Sequence, residues 1–275
     1  MSMAYAIVND ISLHYKISGE GFPVLCIHGF NYKKEEWEGQ FEALSRYFQV
    51  IAFDNRGCGK SERPEIPYTI ETMADDVKGL MDFLNIKQAH IMGMSMGGMI
   101  VQNFVLKYPE RVNKVVLMNT NHTGAGWELL KGSQINGLEL RKSDPEREFW
   151  DYAKVVFHPK FRKELQNNPL KKWYGIWSAE DLKNHRLTDP STKKDVENQA
   201  YALSTHNTTD RLHEIKNPTL ILAASHDRAC PKSELMFMHE KIPNSSFKVI
   251  EKTGHFSFLS KAPEINQILI KFLSD

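Results

Sequence analysis

Residues 89–107 read AHIMGMSMGGMIVQNFVLK. An apolar run fit for a buried strand ends in Gly-Met-Ser-Met-Gly-Gly and passes directly into a stretch with helical spacing. A strand that turns straight into a helix leaves the residue at the turn little conformational room. Its backbone is forced into a sparsely allowed region, at a cost of about 1–3 kcal/mol. Glycines at 93 and 97 remove side chains where strand and helix come closest. Ser95 is thereby thrust out above the carboxyl edge of a sheet, the edge where ligands bind in open α/β folds. A Gly-x-Ser-x-Gly match alone carries little weight. Its position between a strand and a helix is what makes it read as a nucleophile turn.

The surrounding chain fits that placement. Short apolar runs at 24–29, 50–54, 89–93 and 114–119 read as buried strands, and 69–85 between two of them reads as a helix with Thr69 as N-cap. Strand and helix in alternation predict parallel strands joined by right-handed crossovers. The opening stretch AIVNDISLHYKIS predicts an antiparallel hairpin at the sheet edge. After Asn119 the rhythm breaks. Residues 121–212 offer no strand, three stretches there (144–157, 168–177 and 191–204) read as helices, and four of the five tryptophans lie here: Trp127, Trp150, Trp173 and Trp177. Strands return at 218–225 and 247–251, and a helix closes the chain. The reading is an α/β protein with a mostly parallel, doubly wound sheet and an inserted helical lid. Its core takes 1–120 and 213–275, and the lid takes 121–212.

A serine hydroxyl needs a base to take its proton and a carboxylate to orient that base. His255, in KTGHFSF, follows the last predicted strand, and Asp227, in ASHDRAC, follows the one before. Both loops open on the edge that carries Ser95, and the order serine, acid, histidine is that of one hydrolase class. Gly29 lets the chain turn after the strand at 24–29. The backbone N–H groups of Phe30 and Met96 are then placed to converge on one oxyanion, Met96 at a helix N-terminus that favours negative charge. His28 is expected to pack beneath that loop and His226 to face away. Asn119 ends its strand without a carboxylate, which leaves Asp227 no rival.

Other motifs carry less. Cys-Gly-Lys-Ser at 58–61 has Asp54 where a phosphate loop needs glycine, so it reads as a structural loop with Arg56 as a brace. No histidine spacing suits zinc, and neither a metal nor a cofactor is expected. A net charge of +1 gives no reason to expect nucleic acid as partner. No run approaches the roughly 20 apolar residues of a membrane span. Three scattered cysteines and a start without the pattern of a signal peptide point to the cytoplasm.

The segments CIHGF, DNRGCGKSERP, GMSMGGMI, YPERVNKVVLMN, PTLILAASHDRACP and KTGHFSFLSKAPE together resemble the α/β-hydrolase fold family over nearly the whole chain. The resemblance is to the branch of esterases, lactonases and carbon–carbon bond hydrolases with a Gly-x-Ser-Met-Gly-Gly turn. It implies Ser95 as nucleophile, His255 as base, Asp227 as its partner, and Phe30 and Met96 as oxyanion donors. The expected activity is cleavage of a small ester through an acyl-enzyme. The alternatives are a C–C bond hydrolase or enol-lactonase on an acidic substrate, for which Arg141, Lys142 and Arg186 are candidate anchors, or a ligand-sensing protein that keeps the triad. An apolar pocket lined by Trp37, Met94, Trp127, Trp150 and Phe256 is expected to take a small-molecule substrate in a monomer or homodimer.

Overall fold

The computed structural model describes residues 2–275. The chain opens with β1 (Ser2–Val8) and β2 (Ile11–Ser18), paired antiparallel. Asn9 and Asp10 between them both take positive φ, 46° and 61°, as a tight two-residue hairpin of matching twist requires. Then follow β3 (Pro23–Ile27), a 3₁₀ turn at Lys34–Trp37, α1 (Glu38–Leu44) and β4 (Gln49–Phe53). Next come α2 (Ile70–Phe83), β5 (Ala89–Met94), α3 (Met96–Lys107) and β6 (Val112–Met118). Thr69 caps α2 as expected, its hydroxyl accepting from the Thr72 N–H at 3.0 Å.

Five helices stand before the next strand: α4 (Trp127–Ser143), α5 (Pro145–Val156), α6 (Pro159–Asn167), α7 (Ala179–Leu187) and α8 (Lys193–Ser204). The chain ends with β7 (Thr219–Ala224), α9 (Lys232–Lys241), β8 (Ser245–Ile250), α10 (Ser257–Ser260) and α11 (Ala262–Ser274). The sheet has eight strands in the order β1-β2-β4-β3-β5-β6-β7-β8. Every pair from β4 onward is parallel, while β1 and β2 form the antiparallel edge. Helices cover both faces, so β5 is buried at all six positions and its sequence, apart from His90, is apolar and does not alternate.

The helix expected at 168–177 does not form. Trp173 and Trp177 pair across a tight turn in which Tyr174 and Gly175 take φ of 54° and 75°. Tyr174 in the left-handed region is incompatible with a helix. The sequence reading missed α4, α6 and α7. The ends of the five-helix run meet at an antiparallel bridge between Thr123 and Asn207, with Gly124 donating to the His206 carbonyl at 2.8 Å. Among the described residues, no helix is long and apolar enough to cross a membrane.

Candidate active site

Ser95 occupies the single residue between β5 and α3, at φ 56° and ψ −126°. A Cβ at Gly97 would run into the Ile27 carbonyl, so α3 lies directly against the end of β3 only because residue 97 is glycine. Gly29 is placed alike, since a Cβ there would sit 3.0 Å from the Ser95 Cβ. The loop after β3 is thus pressed onto the serine turn. Thr120 secures the turn from the other side, its hydroxyl donating to the Ser95 carbonyl at 2.7 Å.

Asp227 and His255 meet at the same edge, from the loops after β7 and β8. His255 Nδ1 lies 2.7 Å from Asp227 Oδ2, and both side chains are buried. The other Asp227 oxygen accepts from the backbone N–H groups of Ala229 (2.8 Å) and Cys230 (3.0 Å). An ionised carboxylate can only accept, so it favours the tautomer in which Nδ1–H donates to Asp227 and the Nε2 lone pair is left free. Ser95, His255 and Phe30 line one cavity of about 470 Å³. Among the described residues, the Ser95 hydroxyl and the His255 ring are not hydrogen-bonded to each other. Such bonds are often loose before substrate arrives. The Cys230 thiol lies beside the Ser95 side chain, and burial pushes its pKa well up, so it is a neutral neighbour.

The histidine loop is held by a residue whose part the sequence reading did not see. Asn119 ends β6 at φ 44°, fully buried. Its amide nitrogen donates to the His255 carbonyl (2.7 Å) and to the Ser257 hydroxyl (2.8 Å), and its oxygen accepts from Ala224 N–H at 2.9 Å. One side chain therefore ties β6, the end of β7 and the His255 loop together. An asparagine closing an apolar strand was the available signal.

Phe30 and Met96 sit as expected in chain terms, after β3 and at the first turn of α3, and among the described residues neither backbone N–H donates to another backbone group. Beneath them His28 is structural. Its Nε2 accepts from Asn55 N–H at 3.0 Å, and burial lowers its pKa, so it stays neutral. Arg56 braces its loop through a paired bond to Asp76. The Cys-Gly-Lys-Ser loop wraps the Asp54 carboxylate, which accepts from Lys60 N–H (3.1 Å) and from Lys34 Nζ (3.0 Å), leaving that space to a side chain rather than a phosphate. His226 bonds Ser225 and packs on His158, away from the cavity.

The expected pocket residues lie elsewhere. Trp37 is buried against Phe258, Met94 lies in the same core beneath the sheet, and Trp127 packs on the core at the start of α4. Trp150 packs on Phe149 and donates to Glu146. Phe256 stands one layer behind the wall, its ring against Tyr32 and Tyr152. Trp37, Met94 and Phe256 are fully buried, where a large apolar side chain is more strongly stabilised than at an open cavity. The cavity's walls come instead from α4 (Leu130, Gln134, Leu140), from α5 (Tyr152, Val155) and from Arg186 of α7. Arg186 and Arg141 both pair with Glu148, and the Arg186 guanidinium lies 3.6 Å from the Tyr152 ring centroid. Lys142 pairs with Glu139 on the exposed surface.

Asp227, Cys230 and His255 offer metal-ligand atoms within 4.8 Å of one another. Asp227 is already saturated by His255 and two amides, so the set fits an acid–base pair better than a cation.

Residues 23–144 and 146–262 match the family model described as alpha/beta hydrolase fold. A 2-hydroxy-6-oxononadienedioate/2-hydroxy-6-oxononatrienedioate hydrolase of Comamonas testosteroni is 28% identical, over 98% of this chain and 93% of its own. A thermophilic esterase from Thermogutta terrifontis superposes with a TM-score of 0.83 at 26% identity, covering 100% of this chain and 98% of its own. The enol-lactonase of Burkholderia xenovorans LB400 shares the fold, at a TM-score of 0.83 and 24% identity, over 99% of this chain and 100% of its own. With the match spanning sheet, helical run and serine turn alike, the chain belongs to the α/β-hydrolase fold family and is a hydrolase of that family.

Proposed function

We propose that the protein cleaves a small ester through an acyl-enzyme. Ser95 attacks the carbonyl carbon while His255 Nε2 takes its proton. Asp227 keeps the proton on Nδ1 and stabilises the charged ring. The N–H groups of Phe30 and Met96 hold the oxyanion, each such donor being worth about 10²–10³ in rate. His255 then returns its proton to the departing alcohol and activates the water that releases the acid. The observation that carries this reading is a serine at positive φ in a strand-to-helix turn, in one cavity with a buried His–Asp pair. The segment 121–212 serves as the lid of a core made of 1–120 and 213–275. Three unpaired thiols suit a reducing, cytoplasmic setting.

Turnover of p-nitrophenyl acetate and butyrate by wild type and Ser95→Ala tests the assignment, with fluorophosphonate labelling alongside. Loss of both turnover and labelling is expected. Equal rates in the two proteins defeat it.

A second reading has one observation in its favour. Arg186 lines the cavity wall beside Tyr152, where a guanidinium suits a carboxylate. A C–C bond or enol-lactone substrate bearing an acid group would use the same serine and histidine.

A further inference from the structure

The loop after β3 is fastened from an unexpected direction. Gln199, on α8, is fully buried, and its Oε1 accepts the Asn31 backbone N–H at 2.7 Å. Its Nε2 donates to the Cys58 sulfur at 2.6 Å and to the Arg56 carbonyl at 3.4 Å. The amide is therefore clamped on the loop after β4 and reaches with its oxygen to the residue that follows Phe30. Asn31 itself stands at φ 60°, a conformation that a non-glycine residue holds only when its surroundings enforce it. The peptide plane whose N–H belongs to Asn31 is the one whose carbonyl belongs to Phe30. Fixing one N–H at 2.7 Å fixes that plane, and with it the adjoining Phe30 backbone.

We propose that Gln199 is a positioning residue for the reaction: from the helical run it sets the Phe30–Asn31 backbone so that the Phe30 N–H faces the oxyanion. The proposal rests on the Ser95 reading above. Lys33 holds the far end of the same loop independently, its ammonium donating to the carbonyls of His185 and Thr188, each at 2.6 Å. Loss of the Gln199 bond therefore loosens the aim of one amide and leaves the loop in place.

Gln199→Met keeps the length of the side chain and removes all three bonds. Gln199→Asn keeps the amide but draws it back by one methylene, and serves if the first variant does not fold. Asn198→Ala is the control. Asn198 donates to the Pro64 carbonyl at 2.8 Å, so its loss removes a tether of the same helix that does not touch the loop after β3. Each full-length variant is compared for kcat and KM on p-nitrophenyl butyrate, for Tm, and for inhibition by an alkyl boronic acid, whose tetrahedral adduct on serine places an oxygen at the oxyanion. The Gln199 variants are expected to lose about tenfold in kcat and about tenfold in boronate affinity, with KM within about twofold. Asn198→Ala is expected to lower Tm with kcat and boronate affinity unchanged. Gln199 variants that keep both wild-type values, or an Asn198→Ala that loses them equally, overturn the proposal. If wild type does not bind the boronate and Ser95→Ala keeps its turnover, the parent reading fails instead.

Discussion

Ser95 and His255, with Asp227 buried behind the imidazole, stand on turns at the carboxyl ends of β5, β8 and β7, whereas Arg186, Tyr152 and Gln134 reach the cavity from the flanks of three different helices. The first group is held mainly by the backbone. Two amides grip Asp227, a glycine-packed turn grips Ser95, and Asn119 grips the His255 loop through its carbonyl. The second group is held by other side chains, chiefly the Arg141–Glu148–Arg186 cluster. A site fixed by tight turns and buried clamps is intolerant of change, which suits the group proposed to perform the reaction. A wall fixed by side chains can be rebuilt one residue at a time, which suits a surface proposed to select what reacts.

That contrast breaks if a variant of the first group merely changes substrate preference. Asp227→Asn should cut kcat by about 10³–10⁴ on every substrate, acidic or neutral, because the ring loses its fixed tautomer. Parallel kcat measurements on a neutral ester and on an ester of a dicarboxylic acid check this. A loss confined to one of them overturns it.

The wall should behave in the opposite sense. Arg186→Met is expected to raise KM for the acidic ester by about tenfold while the neutral ester changes by less than about twofold. Glu148 keeps Arg141 as partner, so the variant retains a paired carboxylate. Lys142→Ala, on the exposed surface, should leave both substrates unchanged.

A third effect, on stability and not on turnover, lies at the base of the helical run. His206 Nδ1 lies 3.0 Å from the Asn103 side-chain amide, its carbonyl receives Gly124, and burial lowers its pKa to about 4. The unfolded chain binds this proton near pH 6.5 and the folded chain resists it, so stability falls as pH drops from 6.5 toward 4. One such group contributes at most about 3 kcal/mol over that window. Urea midpoints measured between pH 7 and 4 should fall less steeply for His206→Gln than for wild type.

The same division explains how far the sequence could be read. The positions of the serine turn, Asp227, His255 and the loop at Phe30 on one sheet edge were legible because each follows an apolar run. The wall was not, since which face of α4 or α5 meets the cavity depends on packing between helices far apart in sequence. Tryptophans drew attention there by size, yet Trp37 and Trp127 pack on the core, and half-polar residues such as Tyr152 and Gln134 took the wall. Asn119 was noticed for the carboxylate it lacks. Its role as a three-way clamp needs the ends of two other strands beside it, which no spacing reveals.

The Thr123–Asn207 bridge has a further consequence. Where a long excursion departs and comes home at one doorway, the sheet registers only the doorway and not the length of the journey. New turns or whole helices can be added to the excursion without shifting β6 against β7. Descendants of this chain could therefore acquire new diets while inheriting one unchanged set of teeth.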